Sequence, residues 1–413
     1  MLITAVAIYT LYILIKIYVS VMQIGYVNRV KKGSAVLMSK SEFIKAGNYA
    51  VAKEKLSIAS SFFEYIVLIA WLGGAIAYLD SAFLIANEGL KTVVIVISFV
   101  IIGSIISLPF DIYEKFVLDA KFGFNKSTVG LYVKDTVITT IISIVIGSAV
   151  IYGVYLIITS TTLWWLWSFL FIFAIIIAIN MLFPTVRAMF FDKLSPLEDE
   201  ELNEQIQTLM DKTGFVSSGV FVSDASKRDA RLNAYFGGLG KTKRVVLFDT
   251  LIEKLTSQEL LAVLGHELGH YAHGDIYKNI ALMGGMLFGM FAIFGNLPSE
   301  LFLELKVSVT PANLMILFLL FMPLLGFIMM PIFGLVSRHN EFEADKTGAE
   351  LGGGFFLIQA LTKLVSENKS FPLSHPLYIF FHYTHPPVLE RIKELGGSIE
   401  NIGSDELKEE LKF

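Results

Sequence analysis

The chain has 413 residues, a net charge of −4, a mean hydropathy of +0.65, 54% hydrophobic residues and 17% charged residues. Soluble globular domains carry about 25% charged residues, so this balance points to a membrane protein, and the slight acidity gives no reason to expect nucleic-acid binding. Cysteine is absent, which excludes disulfides and thiolate metal sites and leaves His and carboxylate as metal ligands.

Residues 2–22 form an apolar run long enough to span a bilayer. It has no basic flank and no small-residue cleavage site, so it reads as a retained helix, with Lys16 near enough to one end to snorkel. Further spans are expected at 61–80, 91–109, 136–158 and 163–183. Asp80, Asp111 and Glu114 fall near span ends, where interfacial water accounts for them. The segment 23–60 carries Arg29, Lys31, Lys32, Lys40, Lys45, Lys53 and Lys55, and 110–135 carries Lys115, Lys121, Lys126 and Lys134. The alternate loops are nearly bare, which puts the N-terminus outside and the basic loops on the cytoplasmic side.

The segment 184–277 falls on that same side and reads as a small α+β unit. A helix is expected over 197–212, strands over 219–223 and 244–248, and a turn-rich connection over 233–240. Thr256 and Glu259 then form an S/T-x-x-E capping box that opens a helix. Leu261, Leu264 and Leu268 fall at helical spacing and would bury one face. The other face carries His266-Glu267-Leu268-Gly269-His270. Histidines four apart share a helix face and can grip one metal ion, and Glu267 beside them can take a proton from water. Zinc in such a site makes water nucleophilic near neutral pH.

A catalytic zinc usually takes three protein ligands. His273 is the nearest third candidate, but three ligands within two helical turns do not close a tetrahedral site. Two more spans follow, at 278–296 and 312–336, the first Gly-rich (Gly284, Gly285, Gly289) and suited to close packing. Two crossings return the chain to the motif side at Ser337-Arg338-His339-Asn340-Glu341-Phe342-Glu343-Ala344-Asp345. Glu341 and Asp345 lie four apart, so one can ligate while the other braces a ligating imidazole, with Glu343 as a competitor. The tail from residue 351 reads as short helices and turns on the same side. The chain thus divides into 1–183, five spans; 184–277, with the motif helix; 278–336, a transmembrane hairpin; and 337–413, with the third ligand. The fold class is an α-helical multi-span membrane protein of seven helices with a small α+β metalloprotease domain on the cytoplasmic side.

H-E-L-G-H followed after two spans by S-R-x-x-E-F-E-A-D resembles the HtpX and CAAX-prenyl-protease superfamily of zinc metallopeptidases. Leu108-Pro109-Phe110 with Phe122-Gly123-Phe124-Asn125-Lys126, the run around Asn233 and 243–251, and His382-Tyr383-Thr384-His385-Pro386-Pro387 with Glu390-Arg391 are similar to the type I CAAX prenyl protease branch. The resemblance implies one zinc per chain on His266, His270 and Glu341, with Asp345 supporting a zinc-binding His and Glu267 as general base. It places Asn233 and His385 near the zinc, to bind substrate backbone or steady the tetrahedral intermediate, with Arg391 assisting. On their own residues, Asn233 is a turn former and His385 a helix entry. The resemblance also implies a helical barrel around a water-filled intramembrane chamber. The implied partners are membrane lipid and a peptide or protein substrate, isoprenylated or membrane-associated. An extended substrate is expected to pair with the strand 244–248. The compact chain and lack of an ER retrieval tail favour a bacterial inner membrane over the endoplasmic reticulum. Two other readings compete: an HtpX-like quality-control protease, and a transporter or channel with a structural zinc. The second is disfavoured by the scarcity of charges within the spans.

Overall fold

Among the described residues of the computed structural model, seven helices are long and apolar enough to cross a membrane. They are Leu2–Val30, Lys40–Ala82, Glu88–Phe122, Val129–Ser160, Trp164–Phe183, Asp275–Gly295 and Pro311–Gly352, here spans 1 to 7. The structure describes residues 1–237 and 243–397. The end of the expected 233–240 connection and the last part of the tail lie outside the described residues.

The helices overrun the apolar stretches because their polar ends keep helical hydrogen bonding past the hydrocarbon. Span 2 starts at a capping box in which Ser39 and Glu42 satisfy each other's backbone N–H groups, well before its apolar run. Span 7 continues unbroken to Gly352, so Glu341 and Asp345 lie deep within one helix rather than at the start of another. Neighbours in sequence pack together, and span 7 also returns to spans 1, 3 and 4, which closes the ring. On span 4, Val133, Val137, Ile141 and Val145 stand exposed at four-residue spacing, an apolar stripe suited to lipid. Lys16 does not snorkel alone: its Nζ lies 3.5 Å from Glu64 on span 2. Among the span 6 glycines, Gly284 and Gly295 meet neighbours closely, a Cβ on the first standing 2.9 Å from the Phe173 ring and one on the second running into Trp165, whereas Gly285 and Gly289 face open space.

Among the described residues, four short strands form one sheet in the order β1-β2-β4-β3, where β1 is Leu194–Pro196, β2 Val220–Ser223, β3 Ala234–Gly237 and β4 Arg244–Phe248. β1 and β2 run antiparallel, β2 and β4 parallel, and β3 and β4 antiparallel with Ala234 opposite Leu247. Two expectations are corrected here. The residues after Asn233 form a strand rather than a turn, because their backbone groups find partners on β4. β4 lies inside the sheet, with both edges paired, so no substrate can add to 244–248. Among the described residues the sheet's edges are β1 and β3.

The motif helix, Ser257–Ala272, packs on this sheet and on helix Glu200–Thr213. Leu260, Leu264 and Leu268 are its buried leucines, at 1% exposure or less, while Leu261 is only partly buried. Burying each contributes about 1.5–3 kcal/mol, enough to fix which face of the helix looks away from the sheet. A second apolar core, with Trp71, Ile76, Ile95, Phe302 and Ile316, ties the other ends of the spans together.

Candidate metal centre

The motif helix begins with the expected cap: Thr256 Oγ1 accepts from Glu259 N–H, and the Glu259 carboxylate accepts from Thr256 N–H. Glu259 also takes a 2.7 Å ion pair from Lys363 on helix Gly354–Glu367. Burial works to raise the Glu259 carboxyl, but Lys363 and Thr256 outweigh it and hold it below its ordinary value. A carboxylate depressed in this way stabilises the fold above its unfolded-state pKa, and that contribution is lost as pH falls through the folded value. Glu259→Gln is therefore expected to cost about 1–2 kcal/mol near neutral pH. The gap to wild type in thermal unfolding should close on acidification below the unperturbed value of 4.5. A gap that stays constant through that range would contradict the assignment.

From this cap the helix delivers His266 and His270 on one face, their rings 4.8 Å apart. Span 7 crosses directly behind them, the most extensive packing between any two described elements. Glycines allow it. A Cβ on Gly348 would stand 2.9 Å from His266 N, and one on Gly269 would stand 3.0 Å from Ala344 Cα. This approach brings Glu341 to the histidines: Oε2 lies 3.5 Å from His266 Nε2, and Oε1 lies 3.3 Å from His270 Nε2. One donor atom from each of the three lies within 4.8 Å of the others.

The far nitrogens are also held. His266 Nδ1 is 2.8 Å from Asp345 Oδ1, and His270 Nδ1 is 2.9 Å from Asp275 Oδ2. A carboxylate on each Nδ1 keeps the proton there and leaves Nε2 free to ligate. Glu341 is buried, and its Oε2 has no hydrogen-bond partner among the described residues. A buried carboxylate with one oxygen lacking a hydrogen bond, and with each oxygen within 3.5 Å of one imidazole Nε2, fits a divalent cation. Burial alone would lower the His270 imidazole, but Glu341 and Asp275 outweigh it and raise it to about 9.

Glu267 is half-buried and has no hydrogen-bond partner among the described residues, yet its charge acts on His270, His385 and Arg391. His385 Nε2 sits 3.2 Å from Glu341 Oε1, with its imidazole 63% exposed and so open to substrate. Arg338, one turn before Glu341, places it: Nη1 donates to the Tyr383 carbonyl at 2.6 Å, anchoring the chain two residues before His385. Arg391 is brought to the site but lies behind it, buried. It donates to both Asp345 oxygens at 2.7 and 2.6 Å and sits 3.4 Å from Glu341 Oε2. Asn233 makes no hydrogen bond to these residues. It is exposed at the head of β3, its Oδ1 accepting from Ala234 N–H. Neither His273 nor Glu343 joins the cluster: His273 caps the motif helix near Thr347, and Glu343 faces solvent. The residue that sequence reasoning missed is Asp275. Its signal was a glycine-aspartate pair at the motif helix's end, five residues past His270.

Seven membrane-crossing helices with an H-E-x-x-H helix and a buried glutamate at one end of the ring define a membrane-embedded metallopeptidase. Residues 196–399 match the model of Peptidase family M48, and residues 23–193 match that of the CAAX prenyl protease N-terminal region, five membrane helices. The chain belongs to the CAAX prenyl protease family. It is 32% identical to a CAAX prenyl protease 1 homolog of Caenorhabditis elegans, over 88% of this chain and 90% of that protein. It is also 32% identical to CAAX prenyl protease 1 of Saccharomyces cerevisiae, over 86% and 85% of the two chains. The crystal structure of S. mikatae Ste24p superposes with a TM-score of 0.86 at 28% identity, covering 94% of this chain and 97% of the other.

Proposed function

We propose that the chain is a zinc endopeptidase that hydrolyses peptide bonds near the C-terminus of isoprenylated, membrane-associated substrates. The observation that carries the metal is the buried Glu341 carboxylate, one oxygen of it without a hydrogen bond, set against the Nε2 atoms of two histidines whose Nδ1 atoms are already engaged. His266, His270 and Glu341 would hold one zinc. When bound, zinc supplies a Lewis acid at the reacting carbonyl and makes water a nucleophile near neutral pH. Glu267, free of structural partners, takes the proton from water and passes it to the leaving amine. His385 donates to the oxygen on which negative charge develops. Arg391 acts through Asp345 as a positioning residue and not by touching substrate. Because β4 is interior, an extended substrate adds instead to the edge strand β3, which Asn233 precedes.

The basic loops support a cytoplasmic-side active site with the N-terminus outside. The Lys16–Glu64 ion pair, mid-way along span 1, supports a hydrated interior to the ring. The substrate class comes from the relatives' names and from this intramembrane setting. Its test is to incubate the purified full chain with a farnesylated C-terminal peptide, the same peptide without the lipid, and an unfolded membrane protein. Faster cleavage of the lipidated peptide is expected. Cleavage of the unfolded protein alone would favour the quality-control reading.

A further inference from the structure

The two motif histidines are braced in the same way by carboxylates of different origin. Asp345, the brace of His266, comes from span 7. Asp275, the brace of His270, is the first residue of span 6. It reaches back only because the motif helix stops in time. Gly274 adopts φ 67° and ψ 27°, a left-handed conformation that suits glycine, and turns the chain so that Asp275 lies beside His270. The Asp275 side chain is 4% exposed. Its Oδ1 takes the Lys278 ammonium at 2.7 Å and its Oδ2 faces His270 Nδ1. Both oxygens are thus engaged, as a desolvated carboxylate requires.

We propose that Asp275 is the positioning residue for His270. Its carboxylate accepts the Nδ1 proton, selects the tautomer whose Nε2 is free, fixes the ring's angle towards Glu341 and increases the basicity of the ligating nitrogen. The first turn of a membrane span thereby becomes part of the metal site's support. The assignment rests on the reading that His266, His270 and Glu341 hold zinc. The competing role for Asp275 is a local ion pair with Lys278 at the helix start.

The experiment is zinc competition against a chromophoric chelator, using the purified full-length chain in detergent. Wild type should bind one zinc and His270→Ala should lose it; no binding by wild type would defeat the underlying metal reading and not this inference alone. With wild type binding, Asp275→Asn should weaken zinc by about 10- to 100-fold, while Lys278→Met should leave it within about threefold. Cobalt-loaded Asp275→Asn should also show a shifted visible absorption band, because the ligand orientation has changed. Zinc affinity equal to wild type in Asp275→Asn would overturn the proposal, as would an equal loss in Lys278→Met. If Asp275→Asn lowers the metal-free melting temperature, Asp275→Glu decides. Recovery of affinity relative to Asn supports the carboxylate brace, and no recovery overturns it.

Discussion

Glu267→Ala should leave the metal bound and the fold intact while lowering peptide hydrolysis by about 10²- to 10⁴-fold, the usual contribution of a positioned general base. The structure separates the two effects unusually well. Glu267 lies between the two histidines in sequence, yet it makes no hydrogen bond with any described residue. Removing its carboxylate leaves no buried partner unsatisfied, so little stability should be lost. Glu267→Gln should behave alike, since it keeps the side chain's size but cannot take a proton. Metal content, melting temperature and initial rates on one preparation check all three claims. Normal turnover by either variant would remove Glu267 from the reaction; loss of metal would show that its carboxylate supports the site instead.

The contrast between Glu267 and Arg391 shows what could be read from the chain alone. Both were expected to act in catalysis. Glu267 stands in a local pattern whose spacing on a helix already says which way it points. Arg391 lies 125 residues beyond His266, and only tertiary packing reveals that its guanidinium is engaged by Asp345 and Glu341. The spans, the capped motif helix and the return of Glu341 to the motif side were legible, because they depend on composition, short spacings and counting membrane crossings. β3 was not, since its residues carry turn-forming neighbours and extend only by pairing with β4. The interior place of β4 was hidden for the same reason. The parallel pair β2–β4 is a non-local arrangement that no turn sequence announces. Asp275 was overlooked as the polar start of a span, and its partner became visible only once Gly274 was seen to reverse the chain.

The deepest omission concerns glycine, and it yields the other large effect. Span 6 drew attention for its glycines, but the close crossing is between the motif helix and span 7. There Ala262, Gly265 and Gly269 of the motif helix face Gly352, Gly348 and Ala344 of span 7, the last three at four-residue spacing. This small-residue seam lets two backbones nearly touch, as in tightly packed membrane helices. A Cβ on Gly348 would stand 2.9 Å from His266 N and 3.0 Å from its Cα, both backbone atoms that cannot turn aside. Gly348→Ala should therefore push the helices apart by a few tenths of an ångström and cost about 1–3 kcal/mol. Gly348→Leu should separate Asp345 from His266 and Glu341 from both histidines, abolishing metal binding and hydrolysis together. Metal ligand distances tolerate only about 0.2 Å of error, so even alanine should weaken metal binding measurably. Gly326, on the same helix with nothing within 4 Å of its Cβ position, supplies the control. Gly326→Ala should bind metal as wild type does and melt no lower, since alanine favours helix over glycine by about 1 kcal/mol. If Gly348→Ala matches Gly326→Ala in metal affinity and melting temperature, the seam does not set the approach of Glu341 to the motif. If they diverge as expected, the metal site depends on a contact between two helix backbones, formed only when the chain has passed through spans 6 and 7 and returned against the motif helix.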